Sequence, residues 1–332
     1  MKLVSSKLLV SKSVFYLPLC AMFLAMCVSV DAQQSARIPR IAIIRGDDNA
    51  TAPSIKIFRQ ALQELGYIEG KNLLFEYRYT EGSRERAQAI VGELVGLKVD
   101  ILFSTQAIVV RAAKQATTTI PIVIAITADP VASGLVDSLA RPGGNITGLT
   151  SLARNLSGKR LELLTEMIPR LSRIGFLSVA GSTAIKDYED AGRSLKVLIQ
   201  PLEVRVPNPD LSRAFQVAVK NRVGAVIVAS VPGLSGHRKQ IVDLAVQSRL
   251  PLMSENVLAV EAGGLAFYGA NEEEIFRRAA VYVDKILKGA KPADLPVEQP
   301  KKFEFIINLQ AAKQIGLTIP PNVLARADKV IR

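Results

Sequence analysis

Short, wholly apolar runs alternate along this chain with stretches whose apolar residues recur at helical spacing, and few folds satisfy that alternation. Residues 40–44 read as a short buried strand, and Ile55, Phe58, Leu62 and Leu65 then fall on one helical face, with Gly66 as the stop. Residues 73–79 read as a second strand, and Ala87, Ile90, Val91, Leu94 and Val95 line a second helix. Residues 100–103 and 120–126 are two more strands around a helix at 108–116, followed by a predicted short helix at 131–140 and a turn at 141–145. A strand that is apolar on both faces must be covered on both faces, so this order implies parallel βαβ units.

The same grammar restarts further on. Leu161, Leu164, Met167 and Ile168 form a helical stripe closed by Pro169. Strands are predicted at 174–179, 204–206, 225–229 and 250–253, with helices at 185–198, 211–220 and 237–247. A late strand at 265–268, a helix at 272–288, a Pro-rich connector at 288–300 and two amphipathic helices complete the chain. We read this as two α/β lobes with a break near Thr150. The 332 residues suffice for two domains of about 100–200 residues each.

The first 32 residues stand apart from that pattern. Lys2, Lys7 and Lys12 precede an almost unbroken apolar stretch from Val14 to Val30, and Val30-Asp31-Ala32 offers small side chains for cleavage after Ala32. This is the layout of a secretory signal peptide, predicting a periplasmic protein. A membrane anchor fits less well, because no basic stop-transfer flank follows. A lipoprotein attached at Cys27 is the second alternative, disfavoured by bulky Met26 where a small residue is expected. Both cysteines, Cys20 and Cys27, lie in this leader, so the remainder depends on packed cores and not on disulfides. With 49% apolar and 5% aromatic residues, those cores are aliphatic.

The net charge of +12 raises the question of nucleic acid. The Lys and Arg residues are scattered, however, without a long basic block or interleaved aromatics for base stacking, so no nucleic-acid partner is expected. Catalytic and cofactor motifs also fail on inspection. His237 is the single histidine, and Gly233-Leu-Ser-Gly236 puts its second glycine directly after Ser235, unlike the G-x-S-x-G elbow. One histidine and no cysteine beyond the leader exclude zinc spacings. Asp47-Asp48-Asn49 is too short for a calcium loop, and Gly158-Lys159 is followed by Arg160 where a phosphate loop needs Ser or Thr. Neither cofactor, metal nor catalysis is expected. A hydrolase using Glu255 and Asp129 would have to reveal itself by turnover.

Polar residues at strand ends remain. In open α/β sheets ligands bind beyond the carboxyl ends of the strands. Those places hold Arg45, Asp47 and Asp48 after the first strand, Thr105 and Gln106 after the third, Thr127 and Asp129 after the fourth, and Thr150 with Ser151 at the lobe break. The second lobe offers Ser182, Ser230, Glu255, Asn256 and Tyr268. Such a set suits a small polar molecule, with Arg45 as an anion partner and Tyr79, Tyr188 or Tyr268 as the source of any stacking ring. Each residue also has a plainer reading as a turn former or helix cap.

Longer strings carry a resemblance. Ala61-Leu-Gln-Glu-Leu-Gly-Tyr-Ile-Glu-Gly-Lys-Asn72, Tyr77-Arg-Tyr-Thr-Glu-Gly82, Asp129-Pro-Val131, Arg141-Pro-Gly-Gly-Asn-Ile-Thr-Gly148 and Lys159-Arg-Leu-Glu-Leu-Leu164 occur in order. They are followed by Ile286-Leu-Lys-Gly-Ala-Lys-Pro-Ala-Asp-Leu-Pro296, Phe303-Glu-Phe-Ile-Ile-Asn-Leu309 and Arg326-Ala-Asp-Lys-Val330. The chain resembles the ABC-transporter substrate-binding proteins of type I periplasmic-binding fold, a group with tryptophan- and tyrosine-binding members. The resemblance implies two doubly wound parallel-sheet lobes joined by three crossings near Thr150, Val257 and Val297. It assigns residues 33–150 and 258–296 to the first lobe, and 151–257 and 297–332 to the second. It also implies hinge closure on a small-molecule ligand, delivery to an inner-membrane ABC permease as the one route of membrane contact, and a monomer. Thr105, Asp129 and Thr150 fall in cleft-forming segments of the family pattern. Ala180-Gly181 and Val231-Pro232 stand where the family's amino-acid binders often have Asn-Pro and Asp-Asn, which leaves the ligand's identity open. A ligand sensor of the same fold, signalling through a partner, is the alternative.

Overall fold

The computed structural model describes residues 37–46, 52–126, 128–151, 156–206 and 208–332. The predicted leader, with Ala32 and Cys27, lies outside them, as do Asp47, Asp48 and Thr127. No helix among the described residues is long and apolar enough to cross a membrane.

The first lobe runs β1 (Arg40–Arg45), α1 (Pro53–Glu64), β2 (Leu74–Tyr79), α2 (Arg84–Gly96), β3 (Ile101–Ser104), α3 (Ala107–Ala116), β4 (Ile122–Ile126) and β5 (Ile146–Thr150). Its sheet has the order β2-β1-β3-β4-β5 with every neighbouring pair parallel. Period-two alternation sends Ile41 and Ile43 to one face, against Phe58 of α1, and Ala42 and Ile44 to the other, against Ala87, Val91, Val109 and Val110 of α2 and α3. Phe58 and Phe103 stack with ring centroids 4.4 Å apart, and Phe276 meets Phe103 edge-on at 6.1 Å. Full burial of such side chains contributes about 1.5–3 kcal/mol each.

The second lobe contains α4 (Ser157–Met167), β6 (Arg173–Val179), α5 (Ala184–Leu195), β7 (Leu198–Val204), α6 (Leu211–Lys220), β8 (Ala225–Val228), α7 (Pro232–Ser235), α8 (Arg238–Gln247), β9 (Leu252–Ser254), α9 (Val257–Glu261) and β10 (Ala266–Ala270). The chain then returns to the first lobe as α10 (Glu272–Leu287) and a 3-10 turn at Pro292–Asp294. It crosses once more to add β11 (Phe303–Asn308), α11 (Leu309–Gln314), α12 (Pro321–Leu324) and β12 (Lys329–Ile331) to the second lobe. The second sheet has the order β12-β11-β10-β9-β8-β6-β7, parallel except for the antiparallel pair β10–β11. Phe176, Ala225 and Ile227 face α4 and α5, while Leu177, Val226 and Val228 face α6 and α8. Pro201 sits in β7, an edge strand where a missing N–H is tolerated.

Several expectations need correction. Residues 131–140 form turns and no helix, because Asp129 Oδ1 accepts from the N–H groups of Val131 and Ala132 and Gly134 takes a positive φ of 66°. The helix expected at 185–198 ends at Leu195, where Lys196 turns left-handed and the chain enters β7. The chain end carries two strands besides its two short helices. The middle crossing lies at Asn271 instead of Val257: Val257 opens α9, and β10 beyond it pairs with β9 and β11.

All three crossings are laced together. Glu298 pairs with β5, its N–H donating to Gly148 O at 2.9 Å and its carbonyl accepting from Thr150 N at 3.0 Å. Both its carboxylate oxygens accept from Arg278 of α10, at 2.6 and 2.7 Å. Asn271 donates through N to Lys302 O at 3.2 Å and through Nδ2 to Glu304 Oε1 at 2.5 Å. Because β5 and β10 leave their sheets at their carboxyl ends and β11 enters beside the end of β10, the crossings lie at the carboxyl edges of both sheets.

Gly148 is required by this arrangement: its φ is +131°, and a Cβ there would come within 2.3 Å of Ile124 O on β4. Gly148→Ala should therefore cost about 2 kcal/mol or more in urea unfolding, through backbone strain and displacement of β5. The Arg278 hydrogen bonds hold the Glu298 carboxyl below its ordinary pKa, despite opposition from burial. A depressed carboxyl stabilises the fold above its unfolded pKa and loses that contribution as pH falls through the folded value. Glu298→Gln should accordingly flatten the acid limb of stability against pH, measured by denaturation across the acidic range.

Candidate functional site

At the carboxyl edge of the second sheet the chain gathers a buried polar network. Leu161 and Leu164 set the buried face of α4, and Arg160 falls on that face, with its side chain fully buried. Its Nη1 donates to Glu255 Oε1 at 2.9 Å and approaches the Tyr188 hydroxyl at 3.0 Å, while its Nε donates to Tyr268 O at 2.9 Å. Tyr188 itself donates to Glu255 Oε1 at 2.6 Å. The second carboxylate oxygen accepts from Ser230 N at 3.0 Å. One guanidinium thus joins α4, the end of β9, the loop after β8 and β10. Burial works against the charge of Arg160, but the Tyr188 and Glu255 oxygens outweigh it and raise its pKa. Burial first, and the Glu255 charge second, push the Tyr188 hydroxyl well above its ordinary pKa.

The structure therefore brings Glu255, Ser230 and Tyr268 together, with Glu255 engaged through its carboxylate and Ser230 and Tyr268 through backbone N–H and C=O. Tyr188 is no free stacking surface, since its ring lies against Phe176 at 4.5 Å and its hydroxyl on Glu255. Tyr268 packs between Phe303 and Phe305, with centroids 6.2 and 6.4 Å away. Asn256 Oδ1 caps α9 by accepting from Leu258 N at 2.9 Å, and Ser182 Oγ accepts weakly from Ala184 N at 3.4 Å. Asn256 thus takes the capping role of a short polar side chain at a helix start, and Ser182 forms a local turn before α5. His237 occupies the N-cap position of α8 without a capping side-chain bond.

The first lobe's carboxyl edge differs. Thr150 Oγ1 donates to Ala128 O at 2.8 Å, and exposed Asp129 caps its own turn. Arg45 Nη1 lies 3.4 Å from Ser54 Oγ. The Arg45 charge also acts on Glu272 at the start of α10, whose carboxyl is raised chiefly by burial, with Arg45 opposing and Glu261 reinforcing that shift. Thr105 is half-buried between β3 and α3. Gln106, buried to 5% exposure, accepts from Thr80 Oγ1 at 2.8 Å through Oε1, but its Nε2 has no hydrogen-bond partner among the described residues. Ser151 Oγ, after β5 on the same edge, is likewise buried and without a partner among them. No cluster of three His, Cys, Asp or Glu residues suited to a metal ion occurs among the described residues.

The sequence profile of the ABC transporter substrate binding protein family matches residues 41–331. The chain belongs to that family. It is 28% identical over 267 residues to a tyrosine-binding protein of Clostridioides difficile (strain R20291), covering 79% of this chain and 76% of that one. A conserved domain protein of Vibrio cholerae shares the fold at a TM-score of 0.81, with 29% identity over 89% of this chain and 100% of that chain. The crystal structure of an ABC domain in complex with L-Trp from Streptococcus pneumonia superposes at a TM-score of 0.78, with 24% identity over 88% and 99% of the two chains. These likenesses agree with an α/β fold of two parallel-dominated sheets.

Arg160, Thr80, Asn271 and Glu298 were not read from the sequence as site residues. Arg160 left a signal, for a cation on an otherwise apolar helical face requires a buried partner. Removing one member of a buried ion pair costs about 3–5 kcal/mol, whereas replacing both by apolar residues is often close to neutral. Arg160→Met should thus destabilise strongly, and Arg160→Met/Glu255→Leu by clearly less than the sum of the single changes in a urea double-mutant cycle.

Proposed function

We propose that this substrate-binding protein captures an amino acid, or a similar carboxylate-bearing metabolite, between its lobes and hands it to an inner-membrane permease. The observation that carries the reading is the position of the three laced crossings at the carboxyl edges of both sheets, because polar loops of both lobes then flank one hinge. In this reading residues 39–150 and 272–298 form one lobe and residues 157–270 and 303–332 the other. The named ligands of the tyrosine-binding relative and the L-Trp complex favour the amino-acid class. The leader pattern supports a periplasmic location, and the absence of a recognisable catalytic motif in the sequence supports binding without turnover. The protein acts as a monomer in this reading and needs no cofactor.

Closure follows from linkage. A ligand that touches both lobes only when they approach stabilises the closed state by its difference in affinity between the two states. The permease then distinguishes loaded from empty protein by shape. A thermal-shift screen of amino acids, aromatic carboxylates and sugars tests the class, since a ligand at about 100 times its Kd adds about 2.7 kcal/mol. The expected hit is an amino acid that also lowers the radius of gyration in solution scattering and is recovered chemically unchanged. The chain has no tryptophan, so the emission of added L-tryptophan reports its binding directly. Scattering unchanged by a saturating hit, or a hit recovered as a different compound, contradicts the proposal.

A further inference from the structure

The amide of Gln106 is the most informative unexplained group in the first lobe. It follows β3 at the carboxyl edge of the sheet and occupies the N-cap position of α3, yet makes no capping bond. Its side chain reaches instead toward Thr80, which follows β2 on the far side of β1. The Thr80 hydroxyl has one proton and two oxygens within reach, Gln106 Oε1 at 2.8 Å and Arg45 O at 3.2 Å. The shorter of the two runs to Gln106 Oε1. With Oε1 on Thr80, Nε2 is left as a buried donor without a partner among the described residues.

An unmet donor in a residue only 5% exposed is costly, about 1–3 kcal/mol, and needs a compensating partner. Its surroundings favour an acceptor. The first turn of α3 contains no acidic residue and its first N–H groups receive no side-chain cap, so the local field is positive. Ser151 Oγ is a second buried polar atom on this edge with no partner among the described residues. The geometry points to Gln106 as a specificity-determining contact that donates through Nε2 to an oxygen of the ligand, favouring carboxylate or carbonyl acceptors over hydroxyl donors. This assignment rests on the solute-binding reading above and adds to it the polarity of the group that the first lobe recognises.

Two variants test it. Gln106→Glu keeps an oxygen for the Thr80 hydroxyl and replaces the amide donor by a second, anionic acceptor. Gln106→Met removes both ends while nearly conserving shape. The melting temperatures of both free proteins are compared with the wild type, and binding of L-tyrosine, L-tryptophan, L-phenylalanine, benzoate and glucose is titrated calorimetrically against all three. A carboxylate-bearing probe that binds the wild type should bind Gln106→Met about 10-fold more weakly and Gln106→Glu about 100-fold or more weakly, with melting of the free proteins little changed. If Gln106→Glu does not fold, Gln106→Met carries the test. Undiminished affinity in the folded variants overturns the assignment and leaves the solute-binding reading standing. Glucose as the one wild-type ligand, with its affinity intact in Gln106→Glu, also overturns it. If no probe binds the wild type, the amino-acid reading falls and the assignment falls with it.

Discussion

Three passages of one chain must cross between two sheets in the same small region, and the rest of the structure depends on how that crossing is held. Glu298 meets the demand twice, once with its backbone and once with its carboxylate. Its backbone extends the hydrogen bonding of β5, and its side chain takes a two-pronged bond from Arg278 on the helix that follows the middle crossing. Two parallel N–H···O bonds to a carboxylate fix orientation as well as distance. Asn271 then joins the middle passage to the third through Lys302 and Glu304. A hinge built in this way would have few independent torsions and would confine the proposed lobe motion to a narrow path.

The two sheet edges that flank the hinge solve their polar problem differently. In the second lobe, Arg160 and Glu255 neutralise one another inside the protein, with Tyr188 and Ser230 completing the carboxylate's bonds. Such a pair adds little net stability over an apolar packing of equal volume, because desolvation consumes most of the attraction. What it supplies is placement. It holds the ends of β8, β9 and β10 in fixed relation to α4, the first helix after the crossing from β5. In the first lobe, Gln106 Nε2 and Ser151 Oγ are buried without hydrogen-bond partners among the described residues.

In the proposed mechanism, closure rests on differential affinity. A ligand bound equally well by the open and closed forms shifts nothing, however tight its binding. In the proposed reading, contacts that a ligand gains from both lobes as they approach drive the hinge.

The βαβ grammar was legible because both-face burial leaves a strong mark, as the alternation of Ile41, Ala42, Ile43 and Ile44 illustrates. The failures have physical causes. Residues 146–150 are mostly strand formers, but Gly148, with a φ of +131° and close to Ile124 O, interrupts the pattern a strand shows in sequence. Phe305, Ile306 and Ile307 form an apolar run that periodicity cannot divide between strand and buried helix. Of the candidate site, the sequence located the strand ends but could not tell ligand contacts from caps, since Asn256 and Asp129 look alike in either role until their partners are seen. Arg160 is the instructive case. Its position on the apolar face of α4 demanded a carboxylate partner, yet Glu255 lies 95 residues away and only the sheet order brings the two together. Charge on a buried face is readable from spacing, whereas the identity of its partner belongs to topology.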